Sequence, residues 1–293
     1  MRVTLSMLYG NVTRYINMNT QKYYQLQESL LSQKRINRPS DDPVSMTQVM
    51  DLRKMITEFD QYDRNISSAQ TFVSQTEVAL GNVVDRLQRA IELTVDVNDS
   101  LNGTSEFAEA AQEMRDIFTE ILSSANSKIG NRYIFGGFET TTKPFDDTGS
   151  YVGGASGQNI DIEVGRGQYL TVNFTGDDVF TGTTNVMQIV QDAADAIESG
   201  DQDAITASLA DLQAALDHVL VYTTTNGAIS NRIDIASEDN TDLRDAFKAV
   251  LSDTEDIDLT QVSSEFALQE QVLEANRLVS ARLMEQNILD FLA

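Results

Sequence analysis

"NRPSDDPVSM", residues 37–46, holds two of the chain's three prolines, Pro39 and Pro43, around a pair of adjacent aspartates. The residue before a proline is pushed away from helical geometry, so a helix arriving from the N-terminal side ends before Pro39. Asp42 then caps a new helix, with Pro43 at its first position, where a missing N–H costs nothing. Asp41 adds negative charge near that helix's positive end. Adjacent carboxylates with no third ligand in register read as a cap rather than a metal site. Pro39, Asp42 and Pro43 therefore mark a helix break.

Upstream of the break, Tyr9, Val12, Ile16, Tyr23, Leu26 and Leu30 recur in steps of three and four, with Asn19 as the one polar residue on the stripe. This is a heptad seam about three repeats long. Downstream, positions 49, 52, 56, 59, 63, 66, 70, 73, 77, 80, 84, 87 and 91 continue the spacing, and ten of the thirteen are apolar. The spacing predicts one long helix with a supercoiled partner, interrupted in mid-seam by Asp63, Gln70 and Glu77.

"NDSLNGTSEF" (98–107) supplies turn residues, and a third helix follows on Phe107, Ala111, Met114, Phe118, Ile121 and Ala125. From Tyr133 the texture turns to Gly, Thr and aromatics. Ile160, Ile162 and Val164 alternate with polar residues, as do Leu170, Val172 and Phe174, and both runs read as short strands. Tyr133, Ile134, Phe135, Gly136 and Gly137 are expected to form a domain-boundary hairpin, the glycines permitting positive φ. Helical pattern returns near Val186, weakens at Asn226-Gly227, and resumes in a shorter helix carrying Leu243, Phe247 and Leu251. A last helix carries Leu268, Val272, Ala275, Val279, Leu283, Ile288 and Leu289.

The fold class is thus mainly α with a small β insert: long coiled-coil-like helices from both chain ends and a central β-rich domain. Three parts are expected: residues 1–38 with 260–293 as paired terminal helices, 39–133 with 201–259 as a helical rod, and 134–200 as an inserted, mostly β, acidic outer domain.

Charge narrows the function. The net charge of −24 excludes nucleic acid as a partner, because phosphate binding needs clustered cations. Residues 1–38 carry six basic side chains and one acidic, whereas 139–258 carry five basic and 23 acidic. There is no cysteine for disulfides or thiolate metal sites. No secretory signal is recognised and no segment reads as a membrane span. Catalytic chemistry is not in view either. His218 is the only histidine, no phosphate-binding loop exists, and the aspartate clusters do not match a calcium loop. No catalytic, cofactor-binding or metal-ligating residues are assigned.

The basic heptad helix, the break "RINRPSDDP", the long helices, the acidic insert and the heptad C-terminus together resemble the flagellin superfamily. Within it, "GNRYIFGGFETTTKPF" (130–145) and the opening "MRVTLSMLYGNV" resemble the hook-filament junction branch rather than flagellin itself, the alternative. The resemblance spans the chain and is most specific over residues 1–50, 130–145 and 260–293. It implies a structural, non-enzymatic protein of the bacterial flagellum, exported without a cleaved signal. The implied partners are further copies in a ring layer, a hook-proximal junction protein, flagellin, and an export chaperone at the C-terminal helical region. The seam residues would then be assembly surface. Isolated helices with one seam are marginal in water, so residues 1–38 and about 260–293 are expected to be largely disordered in the monomer.

Overall fold

The computed structural model describes residues 5–99, 104–154 and 157–292, without the side chains of 5, 6, 8, 99, 104, 105 and 283–292. Its elements in chain order are helices α1 (Leu5–Ser32), α2 (Pro43–Asp99) and α3 (Thr104–Ala125), strands β1 (Lys128–Ile129), β2 (Arg132–Tyr133), β3 (Asp161–Gly165) and β4 (Gln168–Thr171), a π-helical turn (Asp177–Thr181), and helices α4 (Val186–Ser199), α5 (Gln202–Glu255) and α6 (Leu259–Leu292). The two small sheets are antiparallel hairpins, β1 with β2 and β3 with β4.

The chain divides into two compact units, Met1–Glu58 with Leu243–Ala293, and Phe59–Asp242. This differs from the three parts expected. Segment 134–200 is no separate domain, because Ile134, Phe135, Phe145 and Phe180 are buried in one core with Leu87 of α2, Met114 of α3 and Leu212 of α5. It is also less β than the alternation suggests. Its strands are the short β3 and β4, whereas α4 takes 14 residues, started by Asn185, whose Oδ1 accepts the Gln188 N–H. Gly200, in the left-handed conformation, ends that helix.

Within the second unit, the buried stripe of α2 is Tyr62, Ile66, Ala69, Val73, Thr76, Leu80, Val83, Leu87 and Ala90. Five of the thirteen predicted positions therefore move by one residue: Tyr62, Ala69, Thr76, Val83 and Ala90 take the core positions expected for Asp63, Gln70, Glu77, Val84 and Ile91. Ala69, Thr76 and Ala90 are small and carry little apolar signal, which is why counting large residues missed them. Asp63 and Gln70 flank the stripe and bond to α5. Asn240 Nδ2 donates to the Asp63 carboxylate and to the Phe59 carbonyl, and Gln70 Nε2 donates to Asp234 Oδ1 at 3.2 Å. Hairpin β3–β4 closes a smaller core, packing Val164, Leu170 and Val172 on Ala69 and Val73 of α2 and Ile233 of α5.

Helix α5 runs unbroken through Asn226-Gly227, where the sequence predicts a break and a separate helix at Leu243. Asn226 is fully buried and its Nδ2 donates to the Val73 carbonyl at 3.0 Å, so it packs α5 on α2 instead of turning the chain. By length and composition one 18-residue window of α5 could cross a bilayer, contrary to expectation. Part of its apolar character is protein core: Ile205, Leu212, Ala215 and Val219 of that helix are fully buried, whereas Leu220 and Val221 are exposed.

Candidate assembly interface

The first unit contains the helix break and the terminal helices. Helix α1 stops at Ser32, earlier than Pro39 requires, because the chain turns at Gln33 (φ +58°) to pair with the end of α5. Lys34 and Asp256 form an antiparallel bridge, the Arg35 N–H donates to the Glu255 carbonyl at 2.6 Å, and the Ile257 N–H donates to the Gln33 carbonyl at 3.2 Å. The Glu255 side chain, 3% exposed, takes Lys34 Nζ at 2.6 Å and the Arg53 guanidinium. Both crossings of the chain are thereby fastened to each other.

Beyond Ile36, which is buried, Asp41 Oδ2 accepts the N–H groups of Asn37 and Arg38 at 3.2 and 2.8 Å, closing the loop that contains Pro39. Asp42 Oδ1 accepts the Ser45 N–H at 3.1 Å, with Pro43 as the first residue of α2. Hydrogen bonds from the Ser45 side chain and backbone hold the Asp42 carboxyl below its ordinary value.

Helices α1 and α6 lie antiparallel. Tyr23 stacks on Phe266 with ring centroids 4.9 Å apart, and Gln269 Nε2 donates to the Asn19 carbonyl at 3.0 Å. Farther along, Val12 and Ile16 face Val272 and Asn276 across a cavity of about 230 Å³. The α1 seam residues Tyr9, Val12, Ile16, Tyr23, Leu26 and Leu30 are all half-buried. On α6 the predicted stripe is out of phase: Val272 is half-buried, but Leu268, Ala275 and Val279 are exposed. The residues set against α1 are Phe266, Gln269, Val272 and Asn276. Two of these are polar, so an apolar count passes over them; Asn19, the polar residue in the α1 stripe, was the available signal. The side chains of Leu283, Ile288 and Leu289 lie outside the described residues.

Among the described residues, Leu273 is the only buried apolar side chain on α1 and α6. Large apolar residues point away from the pair instead, among them Met18 (57% exposed), Tyr24 (61%), Leu31 (80%) and Leu268 (63%).

The hairpin turn near the predicted boundary falls at Gly130-Asn131, between β1 and β2, not at Gly136-Gly137. Gly130 has φ +60°, as a two-residue hairpin turn requires. Tyr133 ends β2, and Ile134 and Phe135 then enter the core, where Phe135 meets Phe180 edge-on at 5.2 Å. Gly136 and Gly137 shape the next turn, closed by the Glu139 N–H on the Gly136 carbonyl at 3.1 Å. A Cβ on Gly136 would lie 2.8 Å from the Glu139 oxygen.

The remaining polar groups serve packing. His218 Nε2 lies 3.2 Å from the Asp178 carbonyl oxygen and its ring packs edge-on against Tyr222. Burial, then the Asp177 and Asp178 carboxylates, push the Tyr151 phenol up to about 12. Among the described residues no group of three His, Asp or Glu side chains is placed to hold a metal ion.

Residues 3–140 match the model of the bacterial flagellin N-terminal helical region. The chain is 26% identical over 302 aligned positions to flagellar hook-associated protein 3 of Escherichia coli, covering 94% of this chain and 95% of that protein. In fold it is similar to FlgL of Bacillus cereus (TM-score 0.62, 23% identity, 69% of this chain and 99% of that one). It is likewise similar to the flagellar junction protein FlgL of Legionella pneumophila (TM-score 0.59, 18% identity, 71% and 99%). The capped helix break and the first of the paired terminal helices thus lie in the stretch that matches the bacterial flagellin N-terminal helical region, and nearly the whole chain aligns with flagellar hook-associated protein 3.

Proposed function

We propose that this protein forms the junction between hook and filament, assembling through its terminal helices as a ring layer outside the cell. The observation that carries the proposal is the poverty of burial on α1 and α6. Helices of 28 and 34 residues share one buried apolar side chain among the described residues, Leu273, while Met18, Tyr24, Leu31 and Leu268 are exposed. Ordering that much backbone and leaving most of its apolar surface in water is unfavourable. Neighbouring copies, a hook-proximal junction protein and flagellin supply the missing burial. The same unsatisfied C-terminal face is what an export chaperone would cover before assembly. On this reading residues 1–38 and about 260–293 are the inner part of the assembly, and the exposed Leu268 and Ala275 of α6 contact neighbours rather than α1.

Deletion of the gene in the source bacterium tests the role. A junction protein lost from the hook tip leaves filament protein with nowhere to attach, so intact flagellin accumulates in the medium. If filament protein itself disappears from both cells and medium, the chain is the filament subunit instead.

A further inference from the structure

Within the second unit, hairpin β3–β4 and α5 enclose a surface groove of about 420 Å³. Its floor is apolar, with Val164 and Leu170 buried beneath it. Its rim carries Tyr169 and Ile235, which are 62% and 59% exposed. Arg232 lines one side, and Arg166 stands at the hairpin turn beside Gly167, another lining residue. These two arginines are distinctive. Of the five cations between residues 139 and 258, Lys143 pairs with Asp147, and Arg244 and Lys248 pair with Asp245. Arg166 and Arg232 have no ion pair among the described residues, although 23 carboxylates share that stretch of sequence. The lining holds one carboxylate, Asp239, about two helical turns beyond Arg232.

Exposed Tyr and Ile beside unpaired Arg is the composition of an interface centre rather than of ordinary surface. Charge decides the occupant. A chain of net charge −24 presents carboxylates to neighbours of its own kind, and a cation at the contact turns that like-charge repulsion into attraction. We infer that this groove docks the acidic surface of a second copy of the chain, with Arg166 and Arg232 receiving its carboxylates and Tyr169 and Ile235 closing over its apolar side chains. The contact rests on the assembly role above and adds to it a lateral attachment point outside the terminal helices.

The test places a photo-reactive benzoylphenylalanine at Tyr169 in the full-length protein, expressed in the bacterium, and irradiates isolated hook–filament structures. Cross-linked dimers whose second peptide comes from the same chain are the expected result. Arg232→Glu should lower their yield at least about fivefold, and Arg232→Lys should restore most of it. Because Arg232 is exposed, the thermal midpoint of either variant should stay at that of the parent. If the protein is present in the structures but Tyr169 captures nothing, or captures a different protein, the docking inference is overturned. If the protein is absent from the structures, the assembly role itself fails.

Discussion

Gln269 reaches from α6 to Asn19 on α1, its Nε2 lying 3.0 Å from the Asn19 carbonyl oxygen and 3.3 Å from Oδ1. Gln269 is 4% exposed, so this is a buried polar contact in the middle of the terminal pair. An apolar seam alone tolerates sliding by a heptad, whereas a polar pair placed once fixes which residues oppose each other. Asn19 and Gln269 thereby set Tyr23 against Phe266 on one side and Val12 and Ile16 against Val272 on the other.

Gln269→Ala should weaken the terminal pair by about 1–2 kcal/mol, since Asn19 then loses its donor in a half-buried site. The effect is read as faster hydrogen exchange along α1 in assembled protein. A double-mutant cycle with Asn19→Ala should give a coupling of about 0.5–1.5 kcal/mol. Additive single effects would show that the contact does not fix register.

Glu255→Ala should be the most damaging single change in the first unit. It leaves Lys34 and Arg53 without their shared carboxylate and frees one of the ties between the two chain crossings. Loss of a buried carboxylate from a pair costs about 3–5 kcal/mol, but those partners are 40% and 47% exposed, so about 2–3 kcal/mol is expected in denaturant unfolding.

Acid should loosen the start of α2. The Asp42 carboxyl is held below its ordinary value by Ser45, so its contribution is complete above the unfolded value and is lost as pH falls through the folded one. Asp146, lowered by Thr148 and then Ser150, behaves in the same sense in its own turn. Between roughly pH 5 and pH 2, Asp42→Asn should flatten part of the parent's loss of stability, because asparagine keeps the cap acceptor without titrating. An unchanged pH profile would mean that the cap contributes nothing.

Gly227 sits inside α5 with open space where a Cβ would go. Gly227→Ala should therefore stabilise the monomer by about 0.5–1 kcal/mol, visible as a higher thermal midpoint. A lower midpoint would show that the glycine is needed for close packing.

The long helices were legible in sequence because heptad spacing over many turns leaves few alternatives, and the break was legible because proline and aspartate act locally. Phase within the seams was less legible. On α2 the core uses Ala69 and Thr76, and on α6 it uses Gln269 and Asn276, residues whose role depends on what stands opposite. Continuity of α5 was hidden because Asn226-Gly227 is a strong turn signal in isolation, and only the Val73 carbonyl across the interface shows what Asn226 does. The segment after Tyr133 looked like a domain because its composition changes there, yet Phe135, Phe145 and Phe180 join it to the helical core.

The central claim is that the terminal helices depend on neighbours for their order. Limited proteolysis of dilute, purified monomer, with fragments sized by mass spectrometry, tests it most directly. A resistant core of about residues 40–258, trimmed at both ends, is the predicted result, since α1 and α6 bury too little to stand alone. Terminal helices that resist cleavage in the monomer would contradict it, and would make the pair a self-sufficient part of one chain.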